Sequence, residues 1–135
     1  NKLCLLMDSG CGYQIFPHRP TRARKPDISF IRPDRLPDGK LPRGNCKIIP
    51  DLAIEGVSLH ELADDTNAKL MDFLGVGVPL VWLVFPASET VQVFRKDGTA
   101  SWLTNEGELS GEDILPDFRL PVKQIFEQLH QGENQ

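Results

Sequence analysis

The 135-residue sequence has little of what would classify a protein at once. It holds three cysteines, Cys4, Cys11 and Cys46, an odd number without CxxC spacing. This argues against a disulfide framework or a zinc knuckle, and the thiols are read as reduced. His18, His60 and His130 are scattered without ligand spacing and read as surface residues. No apolar run approaches the ~20 residues of a membrane span. The opening KLCLLM has neither the length nor the cleavage site of a signal peptide. A cytoplasmic protein, not associated with membrane, is therefore expected. Basic residues are not in excess either: 15 Lys and Arg stand against 19 Asp and Glu, a formal net charge of −4. That balance argues against a strong nonspecific nucleic-acid binder, because phosphate contacts need a clear surplus of cations on some face. Internal repeats, low-complexity segments and a disorder signature are all lacking.

What is present is an ordinary globular composition, 40% hydrophobic and 25% charged, in a length that suits one domain over residues 1–135. The fold class is α+β or α/β. Charge is uneven, since HRPTRARK (residues 18–25) carries five basic residues and no acid whereas residues 106–117 are acidic. This permits a phosphate-facing side, although a solvated loop explains the basic run equally well. The sequence opens at Asn1 inside a strand-like stretch, so an N-terminal portion is expected to precede it.

The stretch PDLAIEGVS (residues 50–58) organises the reading. As a strand it would turn Asp51, Ala53 and Glu55 to one side, towards a polar cleft, and Leu52 and Ile54 to the core. Half-buried acids need a cation, a hydrogen-bond network or a raised pKa, and a divalent metal is the partner that also brings chemistry. A strand with its acids at exposed ends is the alternative on this stretch alone.

Around it, residues 3–7 and 12–16 read as a hairpin, and DISFIR (residues 27–32) as a strand headed by Asp27. Residues 33–47, with three prolines and two glycines, suit a surface connection. Ser58 and Glu61 form a Ser-x-x-Glu pattern that predicts a capping box and a helix over residues 58–74, ended by Gly75 and Gly77. On its wheel Leu59, Leu62, Ala63, Leu70, Phe73 and Leu74 share an apolar arc. Lys69 falls about 20° from Leu62, so its stem can follow the buried face while the ammonium reaches past the sheet edge. PLVWLVF (residues 79–85) must be an interior strand, TVQVFR and residues 99–103 a hairpin turned at Lys96-Asp97-Gly98, and residues 104–117 a loop. A last helix starts near Pro121 with Val122, Ile125, Phe126 and Leu129 inward, and residues 131–135 read as a flexible tail.

In order, RKPDISFIRPDRLPDGK, PDLAIEGVS, AKLMDFL, GVGVPLVWLVFP, TVQVFRKDG and ILPDFRLPVKQIF resemble the Uma-two family of restriction-endonuclease-like proteins in the PD-(D/E)XK nuclease superfamily. The resemblance covers nearly the whole chain. It implies a restriction-endonuclease-like four-stranded mixed sheet flanked by helices, here with an additional β-hairpin, and a metal-dependent endonuclease that hydrolyses DNA phosphodiester bonds. Asp27 matches the Asp of the PD motif and Glu55 the acid of the following strand. The superfamily's lysine two residues beyond that acid is replaced by Val57, and Lys69 matches the place from which similar nucleases supply it on the next helix. Asp27, Glu55 and Lys69 are thus the implied catalytic residues, with Asp51 in support. Asp27, Glu55 and the Gly56 carbonyl would hold Mg²⁺ or Mn²⁺, and Arg19, Arg22, Arg24 and Lys25 would guide the DNA backbone. The superfamily often dimerises, so a homodimer is an expectation. The family's N-terminal helix is missing here, and Gly56, Leu59, Phe85 and Asp117 depart from the usual residues. These departures and the acidic net charge favour the alternative, a catalytically inactive nuclease-fold module with a binding or structural role.

Overall fold

The computed structural model of the chain describes residues 5–7, 26–39 and 46–133. Its centre is the run the sequence marks as interior. Strand β4 (Leu80–Phe85) is buried over five of its six residues, and it pairs in parallel with β3 (Leu52–Gly56), Leu52 opposite Leu80 and Glu55 opposite Leu83. Parallel neighbours need a crossover, and helix α1 (Ala63–Gly75) supplies it. Outwards from β3 lie β2 (Ile28–Ile31) and β1 (Leu5–Met7), both antiparallel. On the other side the hairpin β5 (Thr90–Arg95) and β6 (Ala100–Leu103) completes a six-stranded mixed sheet in the order β1-β2-β3-β4-β5-β6. The four strands implied by the resemblance are thus part of a wider sheet. The expected strand at residues 12–16 and the basic residues Arg19, Arg22, Arg24 and Lys25 lie outside the described residues.

Alternation along β3 and β4 divides the core into two layers. Ala53, Val81 and Leu83 pack with Leu70 and Phe73 of α1, whereas Leu52, Leu80, Trp82 and Val84 face the opposite side. That second side is covered by a region expected to be a loop. Residues 104–117 instead contain β7 (Glu108–Gly111), which pairs with β8 (Leu115–Pro121) across a bulge, before helix α2 (Val122–Glu133). Of the acidic residues that suggest a loop, Glu106, Glu108, Asp113 and Asp117 sit at exposed positions and Glu112 pairs with Arg95 of β5, while Leu109, Phe118, Val122 and Phe126 turn onto the sheet. Charge on one face of a short twisted hairpin conceals its apolar face in a linear reading. Helix α2 also runs three residues into the stretch read as a flexible tail.

Helix α1 starts later than the Ser-x-x-Glu pattern predicts. Its N-cap is Leu62, without a side-chain cap, and Ser58 takes part only through its carbonyl, which accepts the Glu61 N–H at 3.1 Å. The apolar arc shortens accordingly: Leu70 and Phe73 are buried, but Leu59 and Leu62 are 77% and 68% exposed. The C-terminus follows expectation. Gly77, at φ 100°, donates to the Leu74 carbonyl and Val78 to that of Phe73, the paired bonds of a Schellman turn.

Two predictions follow from this packing. Phe73→Ala should cost about 3–5 kcal/mol in urea unfolding, because a fully buried ring leaves a cavity between α1 and the sheet; Leu62→Ala, on the same sequence arc, should change stability by under about 0.5 kcal/mol. In the β5–β6 turn, Asp97 Oδ1 accepts from the Thr99 hydroxyl (2.7 Å) and N–H (2.9 Å), and these bonds hold the Asp97 carboxyl below its ordinary range. A lowered folded-state pKa gives stability that is present above the unfolded value and lost as pH falls through the folded one. Thr99→Ala should therefore raise the Asp97 pKa in a carboxylate NMR titration and reduce the acid-side loss of stability.

Candidate active site

Glu55 is the next-to-last residue of β3, at the carboxyl end of a strand in a β-α-β unit, where open sheets leave a crevice. It is a buried acid, 7% exposed. Its side of the strand is fixed by Ala53, which packs under α1, so the alternation that buries Ala53 brings Glu55 up beside the start of that helix. Ala53 therefore lines the core rather than the polar cleft expected of it.

Asp27 reaches the same place from β2. The antiparallel register sets Ile28 opposite Ile54, and one further step puts Asp27 across from Glu55. Directly opposed residues share a face. The Asp27 carboxylate is held there by the Gly56 N–H, which donates to its Oδ2 at 2.6 Å. Glycine suits this contact, since a Cβ on residue 56 would stand 3.2 Å from that oxygen.

The cation comes from α1. Lys69 Nζ lies 4.0 Å from Glu55 Oε2 and 3.6 Å from Glu61 Oε1, with the Lys69 side chain about one-third exposed. The edge position read from the helical wheel thus brings Lys69 to Glu55. Glu61 was missed as a site residue, because the capping-box pattern accounts for a Glu at that spacing. Instead of reaching back to Ser58, its carboxylate accepts the Thr66 hydroxyl and faces Lys69. Thr66 is buried in the first turns of a helix otherwise exposed there, and no pattern in the sequence marks its pairing with Glu61.

Asp51 is engaged elsewhere. Its Oδ1 pairs with Arg35 Nη1 at 2.8 Å and its Oδ2 accepts the Arg32 N–H at 2.8 Å. These contacts fasten the connection after β2 to the start of β3.

The arrangement gathers three carboxylates and one ammonium, a formal charge of −2 from Asp27, Glu55, Glu61 and Lys69. Among the described residues no three Asp, Glu, His or Cys side chains converge on one metal position. An ion here would take Asp27 and Glu55 with backbone and water oxygens, a donor set of two carboxylates that suits Mg²⁺. Its charge would match the local deficit. Beside Glu61 a groove of about 420 Å³ runs over β4 and β5, walled by Leu70, Leu83, Phe85, Gln92 and Phe94.

The sequence matches, over residues 1–123, the model of a family described as "Uma2: Putative restriction endonuclease". The chain belongs to the Uma2 family. No curated protein matches it. Among solved structures it is similar to a "putative nuclease belonging to DUF820" from Anabaena variabilis ATCC 29413, with a TM-score of 0.71 and 20% identity over 93% of this chain and 69% of the other. That likeness establishes a shared nuclease-like fold for this Uma2 chain. Among its described residues no helix is long and apolar enough to cross a membrane.

Asp51 offers a test of the division of labour between acids. Asp51→Ala leaves the Arg32 N–H and Arg35 without their acceptor and should cost about 1–3 kcal/mol in denaturant unfolding. The Gly56 amide resonance in NMR should stay close to its wild-type position, as the substitution leaves the Asp27–Gly56 and Lys69–Glu55 contacts in place.

Proposed function

We propose that the chain is a metal-dependent endonuclease that hydrolyses DNA phosphodiester bonds in the cytoplasm, with Asp27, Glu55 and Lys69 as its catalytic residues. The observation that carries this reading is the meeting of Lys69, from the crossover helix, with Glu55 at the end of β3, where the register also directs Asp27. Lysine is missing two residues beyond Glu55, and α1 returns one to the same acid.

Asp27, Glu55 and the Gly56 carbonyl would hold Mg²⁺ or Mn²⁺, which when bound polarises the scissile phosphate and lowers the pKa of a water. The remaining work falls to the chain. The Gly56 N–H fixes one Asp27 oxygen, so that this exposed carboxylate is oriented before substrate arrives. Burial of Glu55 against the sheet strengthens its electrostatic interactions relative to those in water. Lys69, with three donors on a stem that the helix edge supports, would orient the attacking water or stabilise charge that develops on the phosphate. The basic run with Arg19, Arg22, Arg24 and Lys25 would steer the DNA backbone towards Asp27.

The test is nicking of supercoiled plasmid, and cleavage of single-stranded DNA, with Mg²⁺ or Mn²⁺. Wild type should nick only with the metal; Glu55→Gln should abolish nicking, and Lys69→Met should slow it by roughly 10²–10³-fold. Glu55→Gln should melt close to wild type, whereas Lys69→Met, which leaves the buried Glu55 carboxylate without its nearby cation, should melt lower yet cooperatively, as a folded protein. Absence of nicking by wild type, with no metal binding in calorimetry, would replace this reading with a nuclease-fold module that binds rather than cleaves.

A further inference from the structure

We propose that Glu61, held by Thr66, is the positioning residue for Lys69, an inference that rests on the nuclease reading only for its effect on catalysis. Both Glu61 oxygens are engaged. Oε2 accepts the Thr66 hydroxyl and Oε1 stands 3.6 Å from Lys69 Nζ. Lys69 is therefore within ion-pair range of two acids, with Glu55 Oε2 at 4.0 Å. A lysine stem has four rotatable carbons and about 2 kcal/mol of rotamer entropy, so a single carboxylate at the edge of ion-pair distance fixes it poorly. Two acids define where the ammonium stands better than one.

The supporting geometry is local and specific. Thr66 is 9% exposed and its hydroxyl has two acceptors in reach, Glu61 and, at 3.3 Å, the Leu62 carbonyl. A hydroxyl has one proton, and a carboxylate is the stronger acceptor. Helical spacing puts Thr66 and Lys69 on one face, three residues apart, so a carboxylate anchored on the first lies beside the second. Glu61 itself precedes the helix, where the turn closed by its N–H to Ser58 returns the chain over that face. With its oxygens divided between a hydroxyl and an ammonium, Glu61 acts through Lys69 rather than as an ion ligand.

Competitive acylation of lysines, read by mass spectrometry with the exposed Lys96 as internal reference, tests this without reliance on activity. An amine held against carboxylates is shielded from the reagent. Glu61→Gln and Thr66→Val should raise Lys69 labelling by roughly two- to fivefold relative to Lys96, whereas Thr66→Ser, which keeps the hydroxyl, should label as wild type. In plasmid nicking, Glu61→Gln should lower kcat with little change in KM, and Lys69→Met combined with Glu61→Gln should be no slower than Lys69→Met alone. Unchanged Lys69 labelling in Glu61→Gln would overturn the proposal, as would a Glu61→Gln effect on nicking that persists in full without Lys69. Should wild type fail to nick, the labelling result still decides whether Glu61 holds Lys69, and the failure belongs to the nuclease reading.

Discussion

The interaction on which the site depends is the half-buried contact between Lys69 and its two acids. Glu55 is carried by a strand covered on both faces, and a carboxylate withdrawn from water at that depth needs an opposite charge or strong donors nearby. The ammonium of Lys69 meets that need while remaining one-third exposed, so its own loss of hydration is only partial. Placing it requires the β3-α1-β4 unit: parallel strands oblige a crossover, the crossover is a helix, and where that helix starts fixes which of its residues stands beside the end of β3. The distances of 4.0 and 3.6 Å set the ammonium beside two acids at ion-pair range.

Asp27 is held by a different means. Its side chain is exposed at the head of β2, and it has the backbone N–H of Gly56 as donor, which belongs to the residue next to Glu55. The two acids are thus tied through one short piece of β3. Any displacement of that strand end moves both together, as a pair of ligands for one ion would require. Asp51 secures the other end of the strand through Arg35 and the Arg32 N–H, so β3 is fastened to the β2 side at both termini, once through Asp51 and once through Asp27.

Much of this was legible in the sequence, and the misses have physical causes. The interior strand β4, the β5–β6 hairpin and the end of α1 at Gly75 and Gly77 were readable because an unbroken apolar run, strict alternation and a positive-φ glycine each admit few alternatives. Lys69 was readable from its angle on the helical wheel together with the family resemblance. The start of α1 was not. Ser58 and Glu61 satisfy a capping box by spacing, but a carboxylate that can reach a buried threonine hydroxyl and an ammonium gains more than one that caps a frayed first turn. Leu59 and Leu62 then lose their place on the apolar arc, since the turn that carries Glu61 leaves them in solvent. The β7–β8 hairpin was missed for a related reason: most of its acids face outward while Leu109 and Phe118 face in, and composition averages the two.

These misses bear on how the site is built. A helix that begins at Ala63 instead of Ser58 leaves six residues between β3 and α1, and the turn from Ser58 to Glu61 within them is what brings Glu61 over the face that carries Thr66 and Lys69. Had the capping box formed, Glu61 would have been spent on a backbone N–H, and Lys69 would face Glu55 alone. The local rule yields here to a half-buried charge network, the kind of place where such a rule is expected to fail. A shorter helix is the structural cost of a lysine held by two acids.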